Sequence, residues 1–158
     1  MTKSLILLGL LSLYGCGETT TNNTTDTQPT NTIQADVQNI TISGTENNYN
    51  FNVKINANET GCDQYTDWWE VLDTKGNLLY RRILIHSHPS EQPFTRGGGN
   101  IAIKKDATVY IRAHMHPLGY VGDVFSGSVD KGFHKSTNPP SFPTALEKSA
   151  PLPNGCAF

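Results

Sequence analysis

Short runs of alternating apolar and polar residues constrain the fold of this chain more than any other feature. In the clearest run, every second residue is apolar and the residues between are polar, the apolar set being Tyr49, Phe51, Val53 and Ile55. Such alternation gives an extended segment one apolar and one polar face. Similar runs recur along the chain between Gly, Asn and Pro, and none has helical spacing. The pattern predicts an all-β fold.

Seven strands are predicted, at 37–43, 49–56, 66–72, 78–86, 100–104, 108–115 and 124–129. Their number and spacing, the adjacent Trp68 and Trp69 in the third strand and Tyr110 in the sixth resemble an immunoglobulin-like or fibronectin type III two-sheet sandwich. The resemblance implies one sheet with the spatial order seventh, sixth, third, fourth. Parity favours burying Trp69 in the core and leaves Trp68 outside. We interpret 90–99 as a long connection that ends in a glycine-rich turn.

The N-terminus has the layout of a secretory signal, with one lysine and a short apolar run in residues 1–15. The tetrad Leu13-Tyr14-Gly15-Cys16 resembles a bacterial lipoprotein processing box, which implies cleavage before Cys16, lipidation of that cysteine and a membrane anchor. The residue after Cys16 is Gly17 and not aspartate, which by resemblance to the enterobacterial sorting rule favours the outer membrane, with the protein facing either the periplasm or the outside. A plain secretory signal or a retained anchor are the alternatives. Residues 16–35 are rich in Thr and Asn and are predicted to form a disordered tether.

The chain has three cysteines. With Cys16 assigned to the lipid, Cys62 and Cys156 form an even pair in an oxidising compartment and are predicted to form a disulfide. This bridge would draw the Pro-rich segment 134–158 back along the domain at 36–133. The 12 basic and 14 acidic residues are scattered, which argues against a nucleic-acid partner.

Four of the five histidines occur in two His-x-His pairs, each followed by proline: His86, His88, His114 and His116. In the predicted topology the fourth and sixth strands end on the same side of the sandwich, and parity predicts that all four rings emerge on one solvent face. His134 falls at the opposite end. Imidazole clusters suit copper or zinc, so we predict a transition-metal site. Further candidate ligands are Met115, Asp63 and Glu91. Exposed strand-end histidines without a ligand are the alternative.

A second class of function rests on aromatic and arginine residues that parity predicts on the same face: Trp68, Tyr80, Arg82, Tyr110 and Arg112. Such a face suits recognition of a protein or carbohydrate partner. No enzyme is predicted, because neither a nucleophile elbow nor a phosphate loop is present. Two strand motifs resemble those of superoxide reductases, but Gln64 and Ala113 stand where that family has a ligand histidine and cysteine. The sequence predicts a lipid-anchored envelope protein whose role is binding.

Overall fold

Two antiparallel sheets form the protein in the computed structural model, which describes residues 32–157. The strands are β1 (Ala35–Thr45), β2 (Asn48–Ala57), β3 (Tyr65–Leu72), β4 (Leu78–Ile83), β5 (Phe94–Ile101), β6 (Val109–His116), β7 (Phe125–Ser128) and β8 (Gly132–Lys135). One sheet has the order β1-β2-β5 and the other β4-β3-β6-β7-β8. The predicted all-β sandwich and its strand order are confirmed. The predicted signal peptide, Cys16 and the tether through residue 31 lie outside the described residues.

The prediction for β5 was wrong in position. The strand begins at Phe94 and includes the three glycines that we interpreted as a turn, and it pairs with β2 from Ile55 to Tyr49. The glycines of this strand give no apolar alternation in the sequence, because Gly98 packs against two large rings. A Cβ there would lie 2.5 Å from Tyr80 Oη and 2.9 Å from Trp69 Cζ2. The rings fill the volume that a side chain on β5 would otherwise occupy.

The sandwich core lies between the two sheets and includes Trp69, which is fully buried as predicted. Other large members are Phe51, Ile55, Phe94 and Ile111. Every residue of β3 is buried, including those that point away from this core. A strand whose two faces are both buried must be covered by other parts of the protein on each face. The outer face of the five-stranded sheet must therefore be covered.

The predicted orientation of β4 was wrong. We expected Tyr80 to point outward, but Tyr80 contacts the core, and Ile85, which follows the strand, is 57% exposed. The register pairs Val71 with Tyr80 and Glu70 with Arg81, so Arg81 takes the outer face. The strand also ends at Ile83, three residues earlier than predicted. Strand parity therefore does not extend to the histidines beyond it.

The C-terminal segment, residues 136–157, covers the outer face of the five-stranded sheet. It begins after β8, a short edge strand that was not predicted, and includes a 3₁₀ helix, Thr144–Lys148. Its far end is joined to the start of β3 by the predicted disulfide between Cys62 and Cys156, which is confirmed. At the opposite end it contacts the β3–β4 turn at Gly76. None of the helices in residues 32–157 has the length and apolarity needed to cross a bilayer.

Candidate functional site

A buried carboxylate organises the outer face of the five-stranded sheet. Glu70 is fully buried and accepts hydrogen bonds from Arg81 Nε and Nη2 at 2.8 and 2.6 Å and from Arg112 Nε at 2.8 Å. The two arginines flank it on the neighbouring strands β4 and β6. Each arginine is only 5% exposed, so the two share Glu70 as their buried counter-ion, and its single negative charge offsets one of their two positive charges.

Arg81 also fixes the C-terminal segment to the sheet. Its guanidinium donates hydrogen bonds to three backbone carbonyls of that segment: Leu146 O at 2.8 Å, Ser149 O at 2.6 Å and Pro151 O at 3.0 Å. These carbonyls belong to an irregular stretch that has few other partners for its backbone. One buried arginine thus joins Glu70 to the segment that covers it.

Three of the five aromatic and arginine residues predicted to bind a partner instead contact other residues of the protein. Trp68 is 3% exposed, with Arg81 at 4.5 Å from its ring and His114 stacked on it at 3.7 Å. Arg112 lies between Tyr120 and Phe142, and Phe142 also contacts Tyr110. The expected exposure of these residues was wrong because parity assigns a face but not what covers that face. Tyr80 and Arg82 instead lie on the other face of the sheet, and Arg82 is exposed at its edge.

The two histidines of the first pair differ in exposure. His86 is exposed, whereas His88 is buried and stacked on Phe94 with ring centroids 4.2 Å apart. Glu59 lies beside it, with Oε2 at 3.4 Å from His88 Nδ1, and accepts the His88 backbone N–H. Burial lowers the pKa of His88, and the Glu59 charge opposes that shift. This buried imidazole is therefore neutral near pH 7.

The second pair lies at the end of β6, where the strand continues to His116. His114 is 7% exposed and its Nδ1 lies 2.6 Å from Asp67 Oδ1 on β3. Since a carboxylate oxygen only accepts, His114 Nδ1 is the donor of this hydrogen bond, and Nε2 is the ring nitrogen left for a ligand. Trp68 stacks on one side of this imidazole, and Tyr120 meets it edge-on at 5.0 Å. The ring is held by a hydrogen bond and by two aromatic contacts.

His114 and His116 open into the same cleft, which we call the histidine cleft. It has a volume of about 430 Å³. One wall is the end of the five-stranded sheet and the other is the C-terminal segment. Its lining residues are Asp67, Trp68, His114, His116, Pro117, Glu147, Lys148, Leu152 and Pro153. His86 and His88 do not line it, so the predicted convergence of all four histidines on one face was wrong.

The protonation of groups near the cleft follows from burial. Burial and the neighbouring charge of Glu70 raise the pKa of Tyr120 to about 12, against the opposing effect of Arg112. The Tyr120 phenol therefore stays protonated at physiological pH. Within residues 32–157, no three or more His, Cys, Asp or Glu side chains are grouped in a geometry that could hold a metal ion. The cleft thus presents two imidazoles without a preformed third ligand.

A second cleft, of about 560 Å³, lies at β1, β7 and β8. Three of its charged residues contact one another: Lys135 Nζ lies 2.6 Å from Asp123 Oδ2, and Asp36 accepts the Asp123 backbone N–H at 2.8 Å. Burial raises the pKa of Asp36. This cleft offers no oriented group comparable with His114.

Sequence reasoning missed three residues that shape the histidine cleft: Asp67, Glu147 and Lys148. Strand parity hides Asp67, because it assigns adjacent residues to opposite faces, whereas the pairing irregularity between Thr66 and Trp68 leaves Asp67 outside the register and beside His114. Glu147 and Lys148 had no signal in the sequence, since their position depends on how the C-terminal segment folds back over the sheet. That path is set by the Arg81 hydrogen bonds.

Comparison with known proteins gives one informative match. The chain is 32% identical over 119 residues to a protein of Halomicrobium mukohataei named "Putative lipoprotein". The match covers 73% of this chain and 58% of that protein, so the chain spans little more than half of its relative. No family model matches the chain. No solved structure matches it significantly.

Proposed function

We propose that this chain is a lipid-anchored cell-envelope protein that binds a transition metal ion, zinc or copper, in the histidine cleft. His114 and His116 supply the two imidazole ligands, and Glu147, a carboxylate on the facing wall of the same cleft, is the candidate third ligand. Zinc and copper both favour imidazole ligands. His86 and His88, included in the prediction from sequence, play no part in this proposal.

One observation carries the proposal: the Asp67 carboxylate holds His114 Nδ1 at 2.6 Å while the ring lines an open cleft. Metal-binding histidines characteristically donate their second ring nitrogen to a carboxylate, which fixes the tautomer and makes the ligating nitrogen more basic. His116 lies two residues along the same strand and lines the same cleft. Residues two apart on a strand share a face, which suits a common ion.

Two independent features support the lipid anchor. The tetrad Leu13-Tyr14-Gly15-Cys16 has the form of a lipoprotein processing box, and the haloarchaeal relative bears the name "Putative lipoprotein". We propose Cys16 as the lipidated residue and the cell envelope as the location. Gly17 favours the outer membrane within that envelope. Intact mass analysis of the membrane fraction would detect the acyl chains on Cys16, and an unmodified Cys16 would contradict the anchor.

Titration with zinc and copper tests the metal site. We expect one ion to bind with an affinity tighter than about 10 μM, equivalent to roughly 7 kcal/mol. The double variant His114→Ala/His116→Ala should lose this binding. The matched control is His134→Ala, an exposed histidine on β8 that should leave binding unchanged. Equal binding by the double variant and the control would refute the proposal.

Asp67→Asn tests the proposed orienting role separately. The amide keeps the shape of the side chain but is a weaker acceptor for the His114 Nδ1–H. We expect metal affinity to fall by about 10–100-fold while one ion still binds. An unchanged affinity, in a variant that circular dichroism shows to be folded, would mean that the Asp67–His114 pair serves packing alone.

Recognition of a protein or carbohydrate, the alternative function, would require the C-terminal segment to leave the outer face of the five-stranded sheet. Only then would Trp68, Tyr110 and Arg112 meet a partner. The disulfide and the three Arg81–carbonyl hydrogen bonds oppose that movement. We therefore give precedence to metal binding.

A further inference from the structure

Large exposed apolar side chains are concentrated at one end of the sandwich. The described part of the chain has six, with between 37% and 57% of each side chain exposed: Ile33, Leu79, Ile85, Leu118, Val121 and Leu152. All except Leu79 lie at the end where β6 finishes and β3 begins. We call these five residues the apolar tip.

Topology places the members of the apolar tip together. Leu118 and Val121 lie in the loop after β6, and Ile85 follows the end of β4, which is antiparallel to β3. Leu152 lines the histidine cleft beside His116. Gly122 fits directly against the Ala35 carbonyl, where a Cβ would clash, and this contact brings the loop after β6 to the start of β1.

The polypeptide from the proposed lipid anchor enters at this same end. Ile33 precedes β1, whose first residue, Ala35, pairs with Ala57 at the end of β2. The next strand, β3, begins at this end, where Tyr65 pairs with His116. Sixteen residues separate Cys16 from Ile33, a chain that can extend no farther than about 55 Å. The chain that leads from the proposed anchor therefore joins the domain at the end that carries the apolar tip.

We propose that the apolar tip docks onto the lipid bilayer that holds the acylated Cys16, with Leu118 and Val121 entering the interface. This inference rests on the lipid anchor of the proposed function. Exposed clusters of apolar residues mark interaction sites, and the lipid surface is the partner that the anchor keeps at high local concentration. In this orientation the histidine cleft opens beside the membrane surface.

The charges at the apolar tip predict which force holds it there. Glu91 and Arg96 pair with each other at 2.8 Å, and the stretch 113–124, which carries Leu118 and Val121, contains no lysine or arginine. Contact should therefore come from apolar burial, and it should occur on zwitterionic lipid and persist at high salt.

Fluorescence quenching in the full lipidated chain tests the docking. Leu118→Trp and the matched control Leu79→Trp each add one exposed tryptophan, at the apolar tip and at the opposite end. Each protein is incorporated into phosphatidylcholine vesicles containing a nitroxide-labelled lipid, and the wild-type signal of buried Trp68 and Trp69 is subtracted. For a tip that enters the interface, we expect quenching of Leu118→Trp to exceed that of Leu79→Trp by at least about threefold. The quenching should not decrease when the salt concentration is raised to about 0.5 M, where charges are screened beyond about 4 Å.

Each other outcome has a defined meaning. Equal quenching of the two variants in vesicles that contain the protein would overturn the docking while leaving the lipid anchor intact. A protein that fails to incorporate at all would overturn both. An unquenched Leu118→Trp in a chain that forms dimers on the vesicle would show that a second copy, and not lipid, covers the apolar tip.

Discussion

Replacing Glu70 with glutamine should destabilise the protein more than any other isosteric change on the outer face of the five-stranded sheet. Glu70 is fully buried and accepts three hydrogen bonds from Arg81 and Arg112, each of which is 5% exposed. Glutamine keeps the volume but removes the one negative charge that the two guanidinium groups share, and it offers one acceptor oxygen where two were used. Removing one partner of a buried charge pair costs about 3–5 kcal/mol.

Urea denaturation and thermal unfolding of the disulfide-intact protein measure this loss. At roughly 4 °C per kcal/mol for a domain of this size, the melting temperature should fall by about 10–20 °C. Glu91→Gln is the matched control, because Glu91 also pairs with an arginine but its side chain is 58% exposed. We expect that variant to unfold at the wild-type midpoint. If Glu70→Gln differed from wild type by less than about 1 kcal/mol, the arginines would not depend on this carboxylate.

Three further changes have expected outcomes. Burial lowers the pKa of His88 below its ordinary value of 6.5. As the pH falls through 6.5, this imidazole is protonated in the unfolded chain before it is protonated in the folded protein, so the free energy of unfolding decreases below pH 6.5. His88→Phe should flatten that loss when denaturation midpoints are compared at pH 7 and pH 5. Gly98→Ala should cost about 1–3 kcal/mol in urea denaturation, part of which Tyr80→Phe recovers by removing the hydroxyl at 2.5 Å. Cys62→Ser/Cys156→Ser should lose about 4–5 kcal/mol, because the bridge closes a 94-residue separation, and the same loss should follow reduction of the wild type.

Side-chain alternation predicted the sandwich because the strands that carry it each have one face on the shared core. Tyr49, Phe51, Val53 and Ile55 are all buried, and the core position of Trp69 followed from the same parity. The sheet order could be inferred as well, since the immunoglobulin-like resemblance fixes which strands are neighbours. Alternation along the strands, together with the assumed immunoglobulin-like topology, was therefore sufficient to predict the two-sheet fold and the order of the strands.

Two features of the fold could not be read from periodicity. In β5 the glycines give no apolar signal, because the rings of Trp69 and Tyr80 provide the bulk that a strand side chain would normally supply. In β4 an irregularity in the pairing beside Leu72 sets the register that brings Arg81 opposite Glu70. This register places two charged residues opposite each other, which a count of apolar positions does not detect.

The candidate site depended on information that is not local. Parity correctly gave Trp68 and His114 the outer face of the sheet, yet both are buried because the C-terminal segment returns over them. For His88, the strand ended before parity could apply. The unused signal was charge: the predicted orientation of β4 would have placed Arg81 in the core, where an unpaired charge is costly, while Glu70 lay on the outer face.

The covering segment also links the Glu70 cluster to the histidine cleft. Arg81 holds the carbonyls of Leu146, Ser149 and Pro151, and the residues between and beside these points, Glu147, Lys148 and Leu152, form one wall of the cleft. Loss of the Glu70 charge allows the Arg81 guanidinium to reorient, which weakens its hydrogen bonds to the carbonyls of that wall. The opposite wall, with Asp67 and His114, belongs to the sheet and stays in place. Glu70→Gln should therefore weaken metal binding at temperatures where the sandwich is still folded, although Glu70 itself does not line the cleft.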